Sequence, residues 1–388
     1  QGRVPVRFSP RAPYWHIDKD GAIDTHVALE RSPEVWAALN QVTRFELENP
    51  EFDLNLEGTW SRPRGEGRLA FDRLALAEEG EGEAKWPVIT AVEAKLIDDG
   101  TGLVFDPVTA RLDGQEVTLR GLLPFTPDEW LLLSEDPLAY FRDYGQGRIE
   151  IPHARVSALA KFIPGYLVPT GEVKMNLQYS PEDGMNGEVV LADAVSRPLG
   201  PLGILQDIQA KLVFSNRSME VQDVRALMGG QPVFVSGQTT WPEDGLVTVD
   251  LALKGTNLPL IRKTGILLRS DLDLKIESDS DGRGRVSGEA VLRDGLVLVD
   301  VRSLVPKGGS VTVPSRRPPY FSVTIPPLNQ WELDVALRGN EFLKLQTPVL
   351  TGIASLNARL DGTLENPRAI GDLLLSDGEI RLPFARFE

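Results

Sequence analysis

The run best suited to holding an ion in this chain of 388 residues is Glu277-Ser-Asp279-Ser-Asp281-Gly282. Alternating carboxylates ahead of a glycine resemble the first half of a calcium loop, where oxygens at every second position wrap a hard cation. The acid needed at the twelfth position falls on Gly288, with Glu289 one place late, and strand-like rather than helical stretches flank the run. A polar hairpin tip is the plainer reading. His16, His26 and His153 are spread out, without HxxxH or HxH spacing for a metal. There is no cysteine, so no disulfide, thiolate site or cysteine nucleophile can form. GxSxG, P-loop and GxGxxG patterns are all missing; Gly282-Arg283-Gly284 comes nearest to the last but lacks its third glycine and a following helix. The residues therefore support no enzyme, no cofactor and no bound metal.

Composition narrows the field further. The formal charge is -15 and no dense Lys/Arg run exists. A protein that tracks phosphate backbones needs a basic face, so nucleic acid is excluded as the expected partner. The acidic stretch Glu78 to Glu83 reads as a solvated loop. No apolar run approaches the ~18 residues of a membrane span. The missing cysteine suits a reducing compartment and equally a periplasmic protein held by sheet pairing. With no signal peptide at Gln1 and a strand-like stretch running up to Glu388, the sequence reads as a fragment of a longer protein.

The elements are mostly strands. From Ala354 to Leu360 apolar residues alternate with Ser355, Asn357 and Arg359, the period-two pattern of a strand with one greasy and one wet face. Val173, Met175 and Leu177 alternate with Lys174, Asn176 and Gln178 in the same way. Similar alternation recurs at Ile23–Leu29, Phe52–Leu56, Val92–Leu96, Val108–Leu112, Val247–Leu253, Leu272–Ile276 and Leu333–Leu337; a bend is expected between Leu69–Phe71 and Leu74–Leu76. Asp-Gly or Asn-Gly occurs ten times, at 20, 99, 113, 183, 186, 244, 281, 294, 361 and 377. These dipeptides favour the positive φ of hairpin turns and predict one continuous antiparallel meander. Helices are expected only over 32–42, within Pro127–Tyr144 and over His153–Ile163, and the six prolines of Pro306–Pro327 make an extended loop.

One-sided strands must cover their greasy side with a second sheet, by barrel closure, or by curling into a trough. Here the residues of 331–384 carry a resemblance: WELDVALRGNEFLKLQTP followed by LDGTLENPRAIGDLLLSDGEIRLPF looks like the C-terminal domain of the TamB family of bacterial envelope proteins. A weaker likeness covers 140–330, through GEVVLADA and SGEAVLRDGLVLVDVRSLVP, while 1–139 match only in style. The resemblance implies an all-β fold: a long, twisted, mostly antiparallel sheet curled into an open groove (a β-taco), with kinship to AsmA-like and bridge-like lipid transfer proteins. Residues 1–139 would form a β-rich groove segment with short helices, continuous with a TamB-like segment over 140–388. The expected function is non-enzymatic transport of phospholipid acyl chains across the periplasm between inner and outer membranes; the alternative is a scaffold or chaperone for outer-membrane β-barrel assembly or secretion. The partners implied are phospholipids and a BamA-like outer-membrane barrel protein, with the inner-membrane anchor outside this fragment. The lipid-binding groove is expected at Val173, Met175, Leu177, Leu251, Leu253, Leu272, Leu274, Ile276, Val335, Leu337, Leu356, Ala358, Leu360, Leu373, Leu375, Ile380 and Leu382. A closed sandwich with a dry core and a polysaccharide-active β-protein are rivals; aromatics at 7% argue against the second.

Overall fold

The structure is a computed structural model that describes residues 2–11, 14–29, 45–76, 88–112, 114–124, 137–159, 167–168, 170–197, 203–242, 246–298, 328–382 and 385–387. Among the described residues 77% are strand, with almost no helix, and the strands make a large mixed sheet that is not closed into a barrel. The all-β, mostly antiparallel, curled fold that the resemblance implies is the one that forms. Packing divides the chain into two compact units: residues 1–164, 169–191 and 214–216, and residues 165–168, 192–213 and 217–388.

The first unit begins with the short strands β1 (Gly2–Arg3), β2 (Val6–Phe8) and β3 (Trp15–Ile17). There follow β4 (Ala22–Leu29), β5 (Phe45–Glu48), β6 (Glu51–Thr59), β7 (Arg62–Leu76), β8 (Ile89–Asp98), β9 (Leu103–Leu112) and β10 (Gln115–Leu123). After helix α1 (Pro137–Tyr144) come β11 (Gln146–Arg155), the two-residue β12 (Leu167–Val168), β13 (Glu172–Ser180) and β14 (Gly184–Ser196). Antiparallel pairing steps from β4 through β6, β7, β8, β9, β10 and β11 to β13. The bend expected near residue 72 is absent: β7 runs unbroken for 15 residues, because β8 pairs along both halves. The helical spacing over His153–Ile163 also fails in its first half. Residues 153–155 finish β11 and Val156–Leu159 make a single 3₁₀ turn, since Ala154 pairs with Val173 and Ala154 and Val156 are already buried against the sheet. The expected helix over 32–42 and residues 127–136 and 160–163 lie outside the described residues. Helix α1 sits against strand ends; the Tyr140 hydroxyl donates to the Pro124 carbonyl at 2.9 Å and the Phe141 ring lies 6.1 Å from that of Tyr179.

The second unit carries β15 (Leu205–Ser215), β16 (Ser218–Met228), β17 (Gln231–Thr240), β18 (Thr248–Lys263), β19 (Ile266–Ser278), β20 (Gly284–Val297), β21 (Glu332–Gln346), β22 (Leu350–Gly362), β23 (Pro367–Leu382) and β24 (Ala385–Phe387). Pairing from β16 to β24 follows chain order and is antiparallel, with one departure from the expected meander: β20 and β21 are parallel. A parallel neighbour needs a connection that returns along the strand, and it falls in 298–331, where the proline-rich 306–327 lies outside the described residues.

The turn dipeptides divide into two classes. Asp20-Gly21, Asp99-Gly100, Asp183-Gly184 and Asp281-Gly282 do turn the chain. Asn186-Gly187, Asp294-Gly295 and Asp377-Gly378 lie inside β14, β20 and β23, and Asp361-Gly362 ends β22. Asp377 and Gly378 together oppose the single residue Gly352, with Asp377 at φ 50°. A left-handed residue serves a bulge as well as a turn, so these strands continue where hairpins were expected. Asp113 and Asp244-Gly245 are outside the described residues.

Candidate functional site

Cross-strand register converts the alternation into rows. In the first unit one row reads Leu29, Phe52, Leu69, Ala94, Val108, Leu119, Ile149, Leu177 across eight strands, every member apolar. In the second unit two adjacent rows cross β16 to β23. One is Val224, Val235, Leu253, Leu274, Gly288, Val335, Leu360, Ala369; the other is Ala226, Val233, Gly255, Leu272, Ala290, Leu337, Ala358, Gly371. No charge interrupts any of them. The intervening row on the opposite face reads Arg225, Phe234, Lys254, Asp273, Glu289, Ala336, Arg359, Ile370. A period-two strand cannot mix its faces without a one-residue slip, so each face keeps one character across the sheet.

The charged face is laced by ion pairs. Lys254 meets Asp273 at 3.1 Å, Arg338 meets Glu289 at 2.9 Å, and Asp334 is held by both Arg285 and Arg359. The hydrogen bond from Arg285, with Arg359 beside it, holds the Asp334 carboxyl below the usual carboxylate range. Such exposed pairs are worth about 0–1 kcal/mol each, so they set solubility and register more than stability.

The apolar face is partly closed on its own side chains. Leu258 is 0% exposed and Val335 4%, in a cluster with Met228, Val233, Leu272, Leu292 and Phe342. Burial that deep on one layer of strands is what a curled face produces, because a flat sheet leaves both faces wet. Gly288 helps the bend: at φ +128° it adopts a backbone that other residues avoid, and a Cβ there would lie 2.2 Å from the Asp273 carbonyl oxygen. Ser270, also 0% exposed, is a polar side chain within this face; among the described residues its Oγ has no hydrogen-bond partner.

The sequence-predicted groove residues distribute as follows. Val173 is buried with Ile151, Ala154 and Val156, with Met175 packed against them; Lys174, Asn176 and Gln178 are exposed. Leu253, Leu274, Leu337, Leu356 and Leu360 are half-buried around the second unit's cluster, Leu272 and Val335 belong to it, and Leu251, Ile276 and Ala358 are half-buried in the same rows or the adjoining one. Leu373, Leu375 and Ile380 are exposed at 68%, 39% and 45%. Leu382 lies in β23, with its side chain outside the described residues. Sequence reasoning passed over Phe52, Leu69, Ala94, Val108, Leu119 and Ile149 in the first unit and Val224 and Val235 in the second. The signal was present for Phe52, Ala94 and Val108, which sit in stretches already marked as alternating.

The ion-binding alternative is answered by side-chain geometry. Asp279 accepts from the Asp281 and Arg283 backbone N–H groups at 3.0 and 2.9 Å, and Arg283 spans Asp279 and Asp281 at 2.8 and 2.7 Å. The carboxylates thus close a hairpin tip around an arginine. His26 Nδ1 lies 2.6 Å from the Asn55 Oδ1, and His153 lies 3.6 Å from Glu172. Among the described residues no cluster of three or more metal-ligating side chains forms, and no helix is long and apolar enough to cross a membrane.

The chain matches no protein-family model, no curated protein and no solved structure.

Proposed function

We propose that the apolar rows form a lipid-carrying surface, along which phospholipid acyl chains pass between two membranes while their headgroups stay in water. The observation that carries this reading is the unbroken run of apolar and glycine residues across eight strands in each unit, backed by a charged face one residue away. Each CH₂ removed from water gains about 0.8 kcal/mol, so a sixteen-carbon chain crossing bare would face roughly 13 kcal/mol. An aliphatic surface without a charged anchor lowers that barrier and holds no lipid fast. On this reading the protein is a non-enzymatic component of the bacterial cell envelope, working in the periplasm, as the TamB resemblance implies. Its other partners would be an inner-membrane anchor and a BamA-like barrel.

A second reading has its own observation. Strand β23 exposes aliphatics on both faces, with Ile370, Leu373 and Leu374 at 61%, 68% and 66%. Two-faced apolar strands suit pairing with an incoming strand, which is how a scaffold for β-barrel assembly would work. Native mass spectrometry of the purified chain separates the two. Co-purified phospholipid, lost on delipidation and regained from vesicles, is the expected result; a chain that never carries lipid but crosslinks to nascent barrel proteins overturns the transport reading.

A further inference from the structure

On the charged side of the second unit the strand register gathers two arginines that have no partner among the described residues. Pro259 pairs with Arg269 and Arg262 with Leu267, and Leu258 and Ser270, next to the first pair, point the other way into the apolar cluster. Arg262 and Arg269 therefore leave the sheet on the face opposite the lipid surface. Together with Gln231 and Asn257 they line a cavity of about 240 Å³. Among the described residues neither guanidinium has an ion pair or a hydrogen bond within the chain, whereas many other arginines of this face do. Among the described residues no acidic side chain lines the cavity. The carboxylate nearest along the strand, Asp271, is held by Arg293 at 2.6 Å and by the Asn257 N–H at 2.8 Å, so its charge is already matched. Asp294, in the bulge that faces Arg269, is exposed and makes no ion pair with it.

The backbone is shaped for this cavity. Gly229 turns the chain between β16 and β17 at φ +55°, and a Cβ there would meet Pro259 Cγ at 2.5 Å. Only glycine lets that turn close over the proline and bring Gln231 to the rim. Two planar forks of N–H donors match an oxyanion with several acceptor oxygens, since guanidinium binds phosphate bidentately and at full charge. A volume of this size holds a phosphate and its first ester substituent.

We infer that Arg262 and Arg269, which project from the face opposite the apolar rows, form a phosphate-binding site in the cavity that Gln231 and Asn257 also line. The group bound is a phosphate mono- or diester, supplied either by a lipid headgroup or by a small soluble phosphate. The site stands on the far side of the sheet and does not depend on lipid moving along the apolar face.

The test is calorimetric titration of the intact chain with inorganic phosphate, with sn-glycero-3-phosphate and with acetate, beside flotation with vesicles of phosphatidylcholine alone or mixed with phosphatidylglycerol. Saturable binding of either phosphate at one site per chain, weakened about tenfold or more in both Arg262→Gln and Arg269→Gln, is expected. Arg225→Gln, an exposed arginine on the same face but outside the cavity, should bind as the parent does, and Asp294→Asn should bind more tightly. Binding only to phosphatidylglycerol vesicles, with the same dependence on the two arginines, supports the site and makes the headgroup its source. Arg262 is exposed, so its variant keeps the test valid should Arg269→Gln unfold. Binding that Arg225→Gln weakens as much, acetate binding as tight as phosphate, or no binding to any probe overturns the proposal.

Discussion

Gly288 and Ser270 mark the places where single residues decide how the apolar face folds. Replacing Gly288 by alanine puts a methyl against the Asp273 carbonyl and forces a non-glycine residue to φ +128°. Strain of this kind costs of order 1–3 kcal/mol before the clash is added. Gly288→Ala is expected to lower stability by about 2–3 kcal/mol in urea unfolding; a loss under about 0.5 kcal/mol would show that the strand can relax and that the bend does not depend on this glycine. Ser270 presents the opposite case. A buried hydroxyl without a partner carries its desolvation cost for nothing, about 1–3 kcal/mol. Ser270→Ala should therefore leave stability unchanged or raise it by about 1 kcal/mol, and a drop of that size would mean that the hydroxyl has a partner in solution.

At the level of the strand, face parity is the property that function uses. Met175 and Leu177 share a face that Lys174, Asn176 and Gln178 do not. Photoreactive residues at 175 and 177 should capture phospholipid, and those at 174, 176 and 178 should not; equal capture at both parities would refute the lipid surface. Strand β22 carries the same contrast at 356 and 360 against 357 and 359, but Leu356 already packs against the buried cluster. Leu356→Asp would therefore unfold the strand as well as block lipid, because an unpaired carboxylate in an apolar cluster is costly. Leu373, opposite it on β23 and 68% exposed, separates the two effects. Leu373→Asp should change stability by no more than about 0.5 kcal/mol, as exposed substitutions do, while reducing co-purified lipid. A strong fall in stability would mean that Leu373 is covered.

Across the whole molecule, carboxylates tie stability to acid in two directions. Hydrogen bonds from Arg285 to Asp334 and from the Arg283 backbone to Asp279 hold both carboxyls below 3.8, as do the Asn257 N–H and Arg293 for Asp271 against the opposing effect of its burial. Their contribution is present above pH 3.8 and is lost as pH falls through the still lower folded values. Asp98 runs the other way: burial pushes it up from 3.8, against the Gly100 N–H that favours its charge. Its ionised form costs stability at neutral pH, and the cost disappears once pH drops below 3.8. Asp98→Asn should hence stabilise at pH 7 and match the parent near pH 3, by thermal unfolding at both values. A gain that persisted at the acid end would place its origin outside the charge.

How much of this was legible in the sequence depended on how local the signal was. Period-two alternation is written within a few residues, so strands such as β13 and β22, and the side each apolar residue takes, follow from the residue pattern alone. The Asp-Gly pairs are local too, but one left-handed backbone serves both a turn and a bulge, and only the neighbouring strand decides between them, as at Asp377 opposite Gly352. Likewise the helical spacing over 153–163 yielded, in its described half, to pairing with β13. What the sequence by itself determined was a sheet with one greasy face; what only the tertiary structure decided was which residues share a row, that β20 and β21 run parallel, and that Arg262 and Arg269 line one cavity with Gly229. The physical reason is that hydrogen-bond register joins residues far apart in the chain, and a single bulge such as the one at Leu260 shifts every partner beyond it.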